Sequence, residues 1–328
     1  MIYPWHENTW QQLTAHWQNQ PNAWLLLGKD NTGKVAFARH FAQALLCEQP
    51  KEQHQACEQC PSCHLFSQQH HPDFYELTPH QDEDDTASAR KLLQIKIDEV
   101  RDVLTQLTQS SLRGGRRIVL IHPAESMNVQ AANALLKMLE EPPESVIFLL
   151  VSNNRDRVLS TIKSRCRPLI LPAPTVQQAQ DYLQQQHGED IPVHLLAFHS
   201  NAPLFDVQPE QDQLREDLLA LLAKPRLLSF LDYANTFDKQ KLPLAKILDW
   251  LHKWLIDLAL TQQQMSPLYY PHHSQALAQL AKKFNGYVLF SLIERILTLK
   301  PYGYHSLNVK MQTESLLIDY LNLFTKKA

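Results

Sequence analysis

The chain reads Arg116-Arg117-Ile118-Val119-Leu120-Ile121-His122-Pro123 at the start of the stretch that decides its fold. The same stretch continues with Asn133-Ala134-Leu135-Leu136-Lys137-Met138-Leu139-Glu140-Glu141-Pro142-Pro143, Val146-Ile147-Phe148-Leu149-Leu150-Val151 and Ser164-Arg165-Cys166. Short, uninterrupted apolar runs are typical of strands that a parallel sheet buries on both faces. Between the two runs, apolar residues recur with helical spacing, which predicts an amphipathic helix ending before Pro142. The stretch therefore predicts one right-handed strand–helix–strand unit.

The composition sets the outer limits of the interpretation. A chain of 328 residues is long for a single core, so two or three domains are expected. An apolar fraction of 44% with 20% charged residues is typical of a soluble globular protein. The chain shows neither a signal-peptide pattern nor a long apolar run, so we expect a cytoplasmic protein without a membrane partner. The net charge of −3 argues against a protein that grips nucleic acid alone, because phosphate neutralisation supplies most of that affinity.

A phosphate-binding loop is predicted near the amino terminus. The apolar run Ala23-Trp24-Leu25-Leu26-Leu27 leads directly into Gly28-Lys29-Asp30-Asn31-Thr32-Gly33-Lys34-Val35. This is the G-x-x-x-x-G-K pattern in its required place, after a strand and before a helix. Gly28 and Gly33 would let backbone N–H groups surround a phosphate, and Lys34 would reach the terminal phosphates.

The loop lacks the groups that ATP hydrolysis needs. A Ser or Thr should follow the lysine to bind Mg²⁺, but Val35 has no oxygen to offer. The acidic pair expected at the end of the strand 118–121 is replaced by His122 and Pro123. Glu125 lies close by but follows a proline turn, so we do not expect it to point where the strand-end acid would. The sequence therefore predicts no ATP hydrolysis, and very weak nucleotide binding or none.

Cysteines give the second strong signal. Four of the five cysteines, Cys47, Cys57, Cys60 and Cys63, lie close together in the sequence. In a cytosolic chain a metal explains such a cluster better than disulfides do. An iron–sulfur cluster of the ferredoxin type would place a fourth Cys-Pro three residues after the C-x2-C-x2-C run, whereas His64, Leu65, Phe66 and Ser67 follow here. The pattern favours a structural zinc held by these four thiolates, with a reduced, metal-free cluster as the alternative and His64 as a bystander.

The order of elements predicts an α/β fold. After the cysteines, Phe74–Leu77 reads as a strand, and a helix with Asp98 as its N-cap precedes the central unit. The predicted order is strand, helix, cysteine module, strand, helix, strand, helix, strand, which gives a parallel sheet with helices on both faces. Residues 207–328 show only helical patterns, such as Ile247, Leu251, Trp254, Leu255 and Leu258.

The run from Ala132 to Pro143, followed by Ser164-Arg165-Cys166, resembles the subunits of the bacterial DNA polymerase III clamp loader, members of the AAA+ family. Among these subunits it is most similar to the delta prime type, whose ATP site is degraded. The resemblance covers residues 1 to about 205 with specific motifs, and the remainder by length and helical character. It implies a RecA-like AAA+ domain at 1–172 with a zinc module at 47–63, a small helical lid at 173–206, and an all-α collar at 207–328.

The resemblance also implies a role for Arg165. In clamp loaders the matching arginine is a finger supplied in trans to the ATP of a neighbouring subunit, which an arginine before the last strand reaches more easily than its own site. The bland alternative is a solvated surface arginine. Cys166 is interpreted as a small buried residue. The lid arginine of this class should follow Pro203, but Leu204, Phe205 and Asp206 stand there instead.

The predicted function is that of a non-hydrolysing stator in the clamp loader of the DNA polymerase III holoenzyme, a DNA-directed DNA polymerase. The resemblance implies gamma/tau and delta subunits as partners in a five-membered ring, with the sliding clamp and primer-template DNA met through the complex. The alternative is a catalytically active ATPase of the gamma/tau kind, against which Val35, His122 and Pro123 argue. A zinc-dependent nucleic-acid-binding module would explain the cysteines but leaves residues 132–143 without a role.

Overall fold

The computed structural model describes residues 2–80, 93–108, 111–113, 115–188, 192–206, 208–284, 286–304 and 308–325. The described residues form two compact units. The first contains 2–80, 93–188 and 201–204, and the second contains 192–200 and the described part of 205–328.

The first unit is built on a five-stranded sheet. Its strands are β1 (Ala23–Leu27), β2 (Phe74–Leu77), β3 (Arg117–Ile121), β4 (Val146–Ser152) and β5 (Arg167–Ile170). Its helices are α1 (Glu7–Thr14), α2 (Lys34–Leu46), α3 (Pro61–Ser67), α4 (Ile97–Gln106), α5 (Val129–Glu140), α6 (Ser160–Lys163) and α7 (Val176–His187). The strand order is β2-β3-β4-β1-β5, and every neighbouring pair is parallel. The predicted α/β class and the order of its elements are confirmed.

Alternate residues of the central strands pack into two separate hydrophobic cores, one on each face of the sheet. On one face Val119, Ile121, Phe148 and Leu150 pack with apolar residues of α4, α5 and α6. On the other face Ile118, Leu120, Ile147 and Leu149 pack with residues of α1 and α2. Strands buried on both faces need apolar residues at every position, which explains the unbroken apolar runs in the sequence.

The strand register places the loops that carry the candidate sites. Leu27, the last residue of β1, pairs with Ser152 at the end of β4 and with Ile170 at the end of β5. Residues 28–34 therefore leave the carboxyl edge of the sheet, where ligands of open α/β sheets bind. At the other edge, Trp24 pairs with Arg167, so the residues just before β5 lie at the amino edge.

The described residues of the second unit are helical. They form α8 (Val193–Phe198), α9 (Pro209–Ala223), α10 (Leu227–Lys239), α11 (Leu244–Gln262), α12 (Ser274–Leu280), α13 (Gly286–Leu299) and α14 (Val309–Thr325). Their core centres on α11, where the Trp254 indole donates to Tyr320 Oη at 2.9 Å and Tyr320 donates to the Leu222 carbonyl at 2.9 Å. Since both rings are completely buried, these bonds satisfy polar groups that water cannot reach.

Helix α7 begins at its predicted N-cap, Thr175, whose hydroxyl accepts from the Gln178 N–H at 3.2 Å. This helix belongs to the first unit, whereas α8 belongs to the second. A separate lid at 173–206 and the boundaries at 172 and 206 stay predictions. Among the described helices, none is both long enough and apolar enough to cross a membrane.

Candidate phosphate loop, metal centre and arginine site

The loop 28–34 has the backbone that a phosphate loop requires. It joins β1 to α2, and Gly33 caps α2 with φ +88°, a left-handed conformation that favours glycine. A Cβ at Gly28 would lie 2.6 Å from the Leu171 carbonyl oxygen, so this position also excludes a side chain. The two glycines singled out in the sequence therefore serve the turn itself.

The amine of Lys34 and the ring of Tyr3 occupy this loop. Lys34 is only 3% exposed, and its Nζ donates to the Lys29 carbonyl within the same loop. Burial lowers the pKa of Lys34, while the charges of Asp30 and Glu125 oppose that shift. Tyr3 lies against Gly33, because a Cβ built there would be 2.2 Å from Tyr3 Cε2. The loop is thus closed by the chain's own side chains.

A cleft of about 360 Å³ borders the loop, and its far wall carries His122, Pro123, Asn153 and Leu204. The His122 imidazole, in the place of a strand-end acid, pairs through Nε2 with Glu76 Oε1 at 2.6 Å. Arg39 donates to the same oxygen from Nε at 2.9 Å. Burial tends to raise the pKa of Glu76, but the hydrogen bonds from His122 and Arg39 outweigh it and lower that pKa. His122 therefore completes a charge network and presents no carboxylate to a metal ion.

Glu125 bonds to a residue in the wall of this cleft. Its Oε1 accepts from the Asn153 backbone N–H at 2.9 Å, and Asn153 lines the same cleft. Its charge also acts on Lys34. The short 3-10 turn Ala124–Ser126 after Pro123 bends the chain back towards the sheet edge, a reversal that the proline alone did not indicate.

The four cysteines converge as the spacing predicts. Cys47, Cys57, Cys60 and Cys63 place their sulfur atoms within 4.8 Å of one another. A tetrahedral zinc with Zn–S distances of about 2.3 Å needs sulfur atoms about 3.8 Å apart, and the Cys57 and Cys63 Sγ atoms are 3.9 Å apart. The set fits a metal of the zinc type, and all five cysteines of the chain are free of disulfides.

Backbone N–H groups around these sulfur atoms favour thiolates, the form that binds metals. The N–H groups of Gln59 and Cys60 donate to Cys57 Sγ at 3.5 and 3.2 Å and lower the pKa of Cys57 to about 6. Burial instead raises the pKa of Cys47 and Cys63. A bound cation would oppose that burial effect, because it stabilises the charged sulfur.

Hydrogen bonds tie the cysteine module to the sheet. Cys60 caps α3, with its Sγ accepting from the Cys63 N–H at 3.4 Å. Ser62 donates to the Leu46 carbonyl at 2.6 Å and bonds to His71 Nε2 at 2.8 Å, just before β2. His64 is exposed and does not belong to the sulfur cluster. The module thus has a fixed position with the metal ligands inside it.

Arg165 lies at the amino edge of the sheet, between α6 and β5. Its guanidinium donates from Nε to Glu140 Oε1 at 2.7 Å, and Nη2 donates to the same oxygen. Its Nη1 donates to the Thr161 carbonyl at 2.9 Å and to Ser164 Oγ at 3.2 Å. A cleft of about 420 Å³ opens here. It is lined by Glu140, Arg165 and other residues, including those near the starts of β1 and β5.

Two further features of this edge bear on the sequence interpretation. Cys166 is 7% exposed, and burial raises the pKa of its thiol to about 12, as suits a small core residue. The partnership of Arg165 with Glu140 was not foreseen, since the two residues are 25 positions apart. The one sequence signal for Glu140 is an acidic residue at the last position of a helix, where the helix dipole disfavours negative charge.

The parallel sheet, the glycine–lysine loop 28–34 and the cysteine module together define a parallel α/β protein with a four-cysteine cluster. A family profile described as "DNA polymerase III, delta subunit" matches residues 5–175, and a second, described as "DNA polymerase III, delta subunit, C terminal", matches residues 209–321. The DNA polymerase III subunit delta' of Pseudomonas aeruginosa is 35% identical over 78% of this chain and 77% of that subunit. The Escherichia coli subunit delta' is 32% identical over 67% of this chain and 65% of its own length.

The chain therefore belongs to the delta' family of DNA polymerase III clamp-loader subunits. It is also related to a tau subunit of DNA polymerase III. The DNA polymerase III subunit tau of Escherichia coli is 31% identical over 58% of this chain and 29% of that subunit. The resemblance drawn from residues 132–166 is confirmed.

Proposed function

We propose that this clamp-loader subunit hydrolyses no ATP itself and supplies Arg165 to ATP bound by a neighbouring ATPase subunit. It would act as a stator in a five-membered ring with gamma/tau and delta subunits, in the cytoplasm, and would meet the sliding clamp and primed DNA through that ring. The proposal rests on family membership and on where the chain places its phosphate loop and its arginine.

The observation that carries the proposal is the separation of Arg165 from its own loop. Arg165 precedes β5, whose Arg167 pairs with Trp24, whereas Gly28 follows the last residue of β1. Strand β1 has five residues. At about 3.3 Å per residue, the amino and carboxyl ends of the strands lie roughly 16 Å apart. An arginine side chain is shorter than this distance. Any phosphate that Arg165 contacts must therefore belong to another subunit.

The surroundings of Arg165 suit such a role. Its side chain is 32% exposed and that of Glu140 is 49% exposed, so the ion pair is open to solvent. Exposed pairs contribute little to stability, about 0–1 kcal/mol. A planar guanidinium with five N–H donors matches the oxygens of a transferring phosphoryl group, and such fingers are worth about 10³–10⁵ in rate.

The absence of hydrolysis follows from three positions. Val35 offers no oxygen to Mg²⁺, and the His122 imidazole is engaged with Glu76. Pro123 has no side-chain oxygen at all. Glu125 does approach the loop, but its Oε1 accepts from the Asn153 backbone, and it lacks the second acid that would complete a pair. An active ATPase of the tau kind remains the alternative, favoured by the likeness to tau.

Zinc is the metal that the cysteine module would hold. Four thiolates without a carboxylate or a solvent position suit a closed structural site, in which the metal stabilises the module. Cys47, Cys57, Cys60 and Cys63 would be its ligands, and the ion would take no part in ATP chemistry.

The test is a clamp loader rebuilt with Arg165→Ala in this subunit. Clamp-stimulated ATP hydrolysis and clamp loading should fall partially, because other sites of the ring keep their own arginines. Arg165→Lys should be nearly as damaging, since a point charge cannot replace the guanidinium fork. Arg101→Ala, which removes an exposed arginine of α4, is the control and should behave as wild type. Unchanged rates with Arg165→Ala would contradict the proposal.

A further inference from the structure

The guanidinium of Arg165 is held in one orientation by three neighbours. Glu140 Oε1 receives two hydrogen bonds, from Nε and Nη2, while Nη1 donates to the Thr161 carbonyl and to Ser164 Oγ. These bonds use four of the five N–H groups of the side chain. The second Nη2–H has no partner among the described residues, and Arg165 lines the open cleft.

Glu140 has an unusual position for an acidic residue. It is the last residue of α5, where the carbonyl end of the helix dipole repels negative charge. Its partner compensates for that repulsion, yet the pair is too exposed to contribute much stability. Neither α5 nor the stability of the fold requires an acidic residue at this position. The effect of Glu140 on Arg165 explains it better.

Fixing a long side chain has a direct consequence for transition-state contacts. A free arginine samples many rotamers, and ordering it at the moment of reaction carries an entropic cost. A carboxylate that already holds Nε and one Nη2–H leaves the guanidinium plane set before a phosphate arrives. The remaining N–H can then point across a subunit boundary in a constant direction.

We propose that Glu140 is a positioning residue for Arg165, which sets the orientation in which the guanidinium meets the phosphate of a neighbouring subunit. This inference rests on the proposed function of Arg165 in trans. Glu140 does not touch the nucleotide and acts only through the arginine. Both partners sit at helix ends, because α5 ends at Glu140 just before Pro142-Pro143 and α6 ends at Lys163 directly before Ser164-Arg165.

A structural interpretation of the same contacts is that Glu140 supports the fold around α5 and α6 independently of any action of Arg165 on a phosphate. The two interpretations differ in a double-mutant cycle. If Glu140 acts through Arg165, its removal changes nothing once Arg165 is gone. If it supports the fold, its removal adds to the loss caused by Arg165→Ala.

The experiment compares clamp loaders rebuilt with six versions of this subunit: wild type, Glu140→Ala, Glu140→Gln, Arg165→Ala, the double variant Glu140→Ala/Arg165→Ala, and Glu141→Ala. The measurements are single-turnover ATP hydrolysis in the presence of clamp and DNA, and ATP affinity of the complex. Glu141 is the matched control, since it is the exposed neighbour and makes no side-chain bond to Arg165 among the described residues. Thermal unfolding of each isolated subunit tests its folding.

Glu140→Ala should slow the Arg165-dependent part of hydrolysis by about three- to tenfold, a modest loss of alignment, with ATP affinity unchanged. Glu140→Gln should retain part of that rate, because its amide oxygen still accepts from Nε. The double variant should match Arg165→Ala, and Glu141→Ala should match wild type.

Three outcomes would overturn the inference while leaving the proposed function intact. Each outcome assumes that Arg165→Ala slows ATP hydrolysis. The outcomes are a wild-type rate with Glu140→Ala, a rate faster than wild type with Glu140→Ala, or a double variant that is slower than Arg165→Ala. A faster rate would mean that Glu140 competes with the phosphate. If Arg165→Ala itself leaves hydrolysis unchanged, the proposed function fails and the inference fails with it.

Discussion

The ring of Tyr3 lies on the backbone of Gly33, so closely that a Cβ at that glycine would be 2.2 Å from Tyr3 Cε2. Tyr3 stacks on Trp5 with ring centroids 4.9 Å apart and meets the edge of Tyr182 at 5.6 Å. Gly33 opens α2, and the N-terminus of a helix is where backbone N–H groups bind phosphate. A nucleotide would have to displace this aromatic group before it could use the loop.

The first prediction concerns nucleotide. The purified chain should bind ATP more weakly than about 1 mM and should show no turnover above background. The reasons are the Tyr3 ring on the loop, the Lys34 amine bonded to the Lys29 carbonyl, and the missing hydroxyl at Val35. Calorimetric titration and a steady-state hydrolysis assay make the two measurements.

A matched variant sharpens this test. Lys34→Ala in a rebuilt clamp loader should leave ATP hydrolysis and clamp loading at wild-type rates, because this lysine contacts no phosphate. Turnover by the purified chain that disappears with Lys34→Ala would contradict the prediction and favour the active-ATPase alternative.

The second prediction concerns the metal. Protein purified without added metal should carry about one zinc per chain, bound by the four cysteines. Cys60→Ser should lose it. Serine can still cap α3, so metal loss in this variant reports the missing thiolate and not a broken helix start. Elemental analysis gives the stoichiometry, and limited proteolysis should show a loosened module on an intact sheet.

Cys166→Ser serves as the control for the metal. Its sulfur is not part of the cluster, so the zinc content should remain at the wild-type level. Iron with a visible charge-transfer band in the wild-type chain, or no metal at all, would rule out the zinc assignment.

Patterns along the sequence predicted the sheet because its central strands β1, β3 and β4 are buried on both faces. Residues 118–121 and 146–151 are apolar throughout. They pack alternately into two hydrophobic cores, so every position must be apolar. The cysteine cluster was predictable for a related reason, since its ligand spacing reflects the local turns that hold a metal. Local patterns thus found the elements and the candidate metal ligands.

Contacts between distant segments were not predictable in the same way. Tyr3 on Gly33, Glu140 on Arg165 and Glu76 on His122 each depend on how separate elements pack. Even a local detail was wrong: Asp98 was expected to cap α4, but the helix begins at Ile97. Glu99 there accepts from the Lys96 N–H at 3.0 Å, so the carboxylate that satisfies the helix start is one residue further on.

The third prediction is a pH dependence that comes from His6. This residue is fully buried, and burial lowers its pKa from 6.5 to about 4, with help from the Lys34 charge. The folded state therefore favours neutral His6. Its contribution to stability is complete above pH 6.5 and is lost as the pH falls towards 4, by about 3 kcal/mol in total at 1.36 kcal/mol per pKa unit.

Replacing the ring tests this contribution. His6→Phe should flatten the dependence of the unfolding free energy on pH between 6.5 and 4, because phenylalanine cannot be protonated. His16→Phe, at an exposed position of the same terminal segment, should leave the wild-type slope. Denaturant unfolding at several pH values gives the measurement, and equal slopes for wild type and His6→Phe would contradict it.

The last prediction concerns Asp257 in the helical unit. Its side chain is completely buried, and its two oxygens accept from the backbone N–H groups of Leu268, Tyr269 and Tyr270 at 2.7–3.2 Å. The carboxylate thus closes the turn after α11 and satisfies three backbone donors, of which the Tyr270 N–H is buried. Asp257→Ala leaves this buried donor without its partner, and a buried unsatisfied group costs about 1–3 kcal/mol. We expect a loss of about 1–3 kcal/mol in the unfolding free energy.

Asp257→Asn should lose less than Asp257→Ala, because one amide oxygen still accepts from the turn. Asp232→Ala, at an exposed position of α10, should stay within about 0.5 kcal/mol of wild type. Fluorescence of Trp250 and Trp254, both buried beside Asp257 on the same helix, would follow unfolding of this unit in the full chain. A loss below about 1 kcal/mol for Asp257→Ala would contradict the prediction, since the buried Tyr270 N–H would then have found another partner.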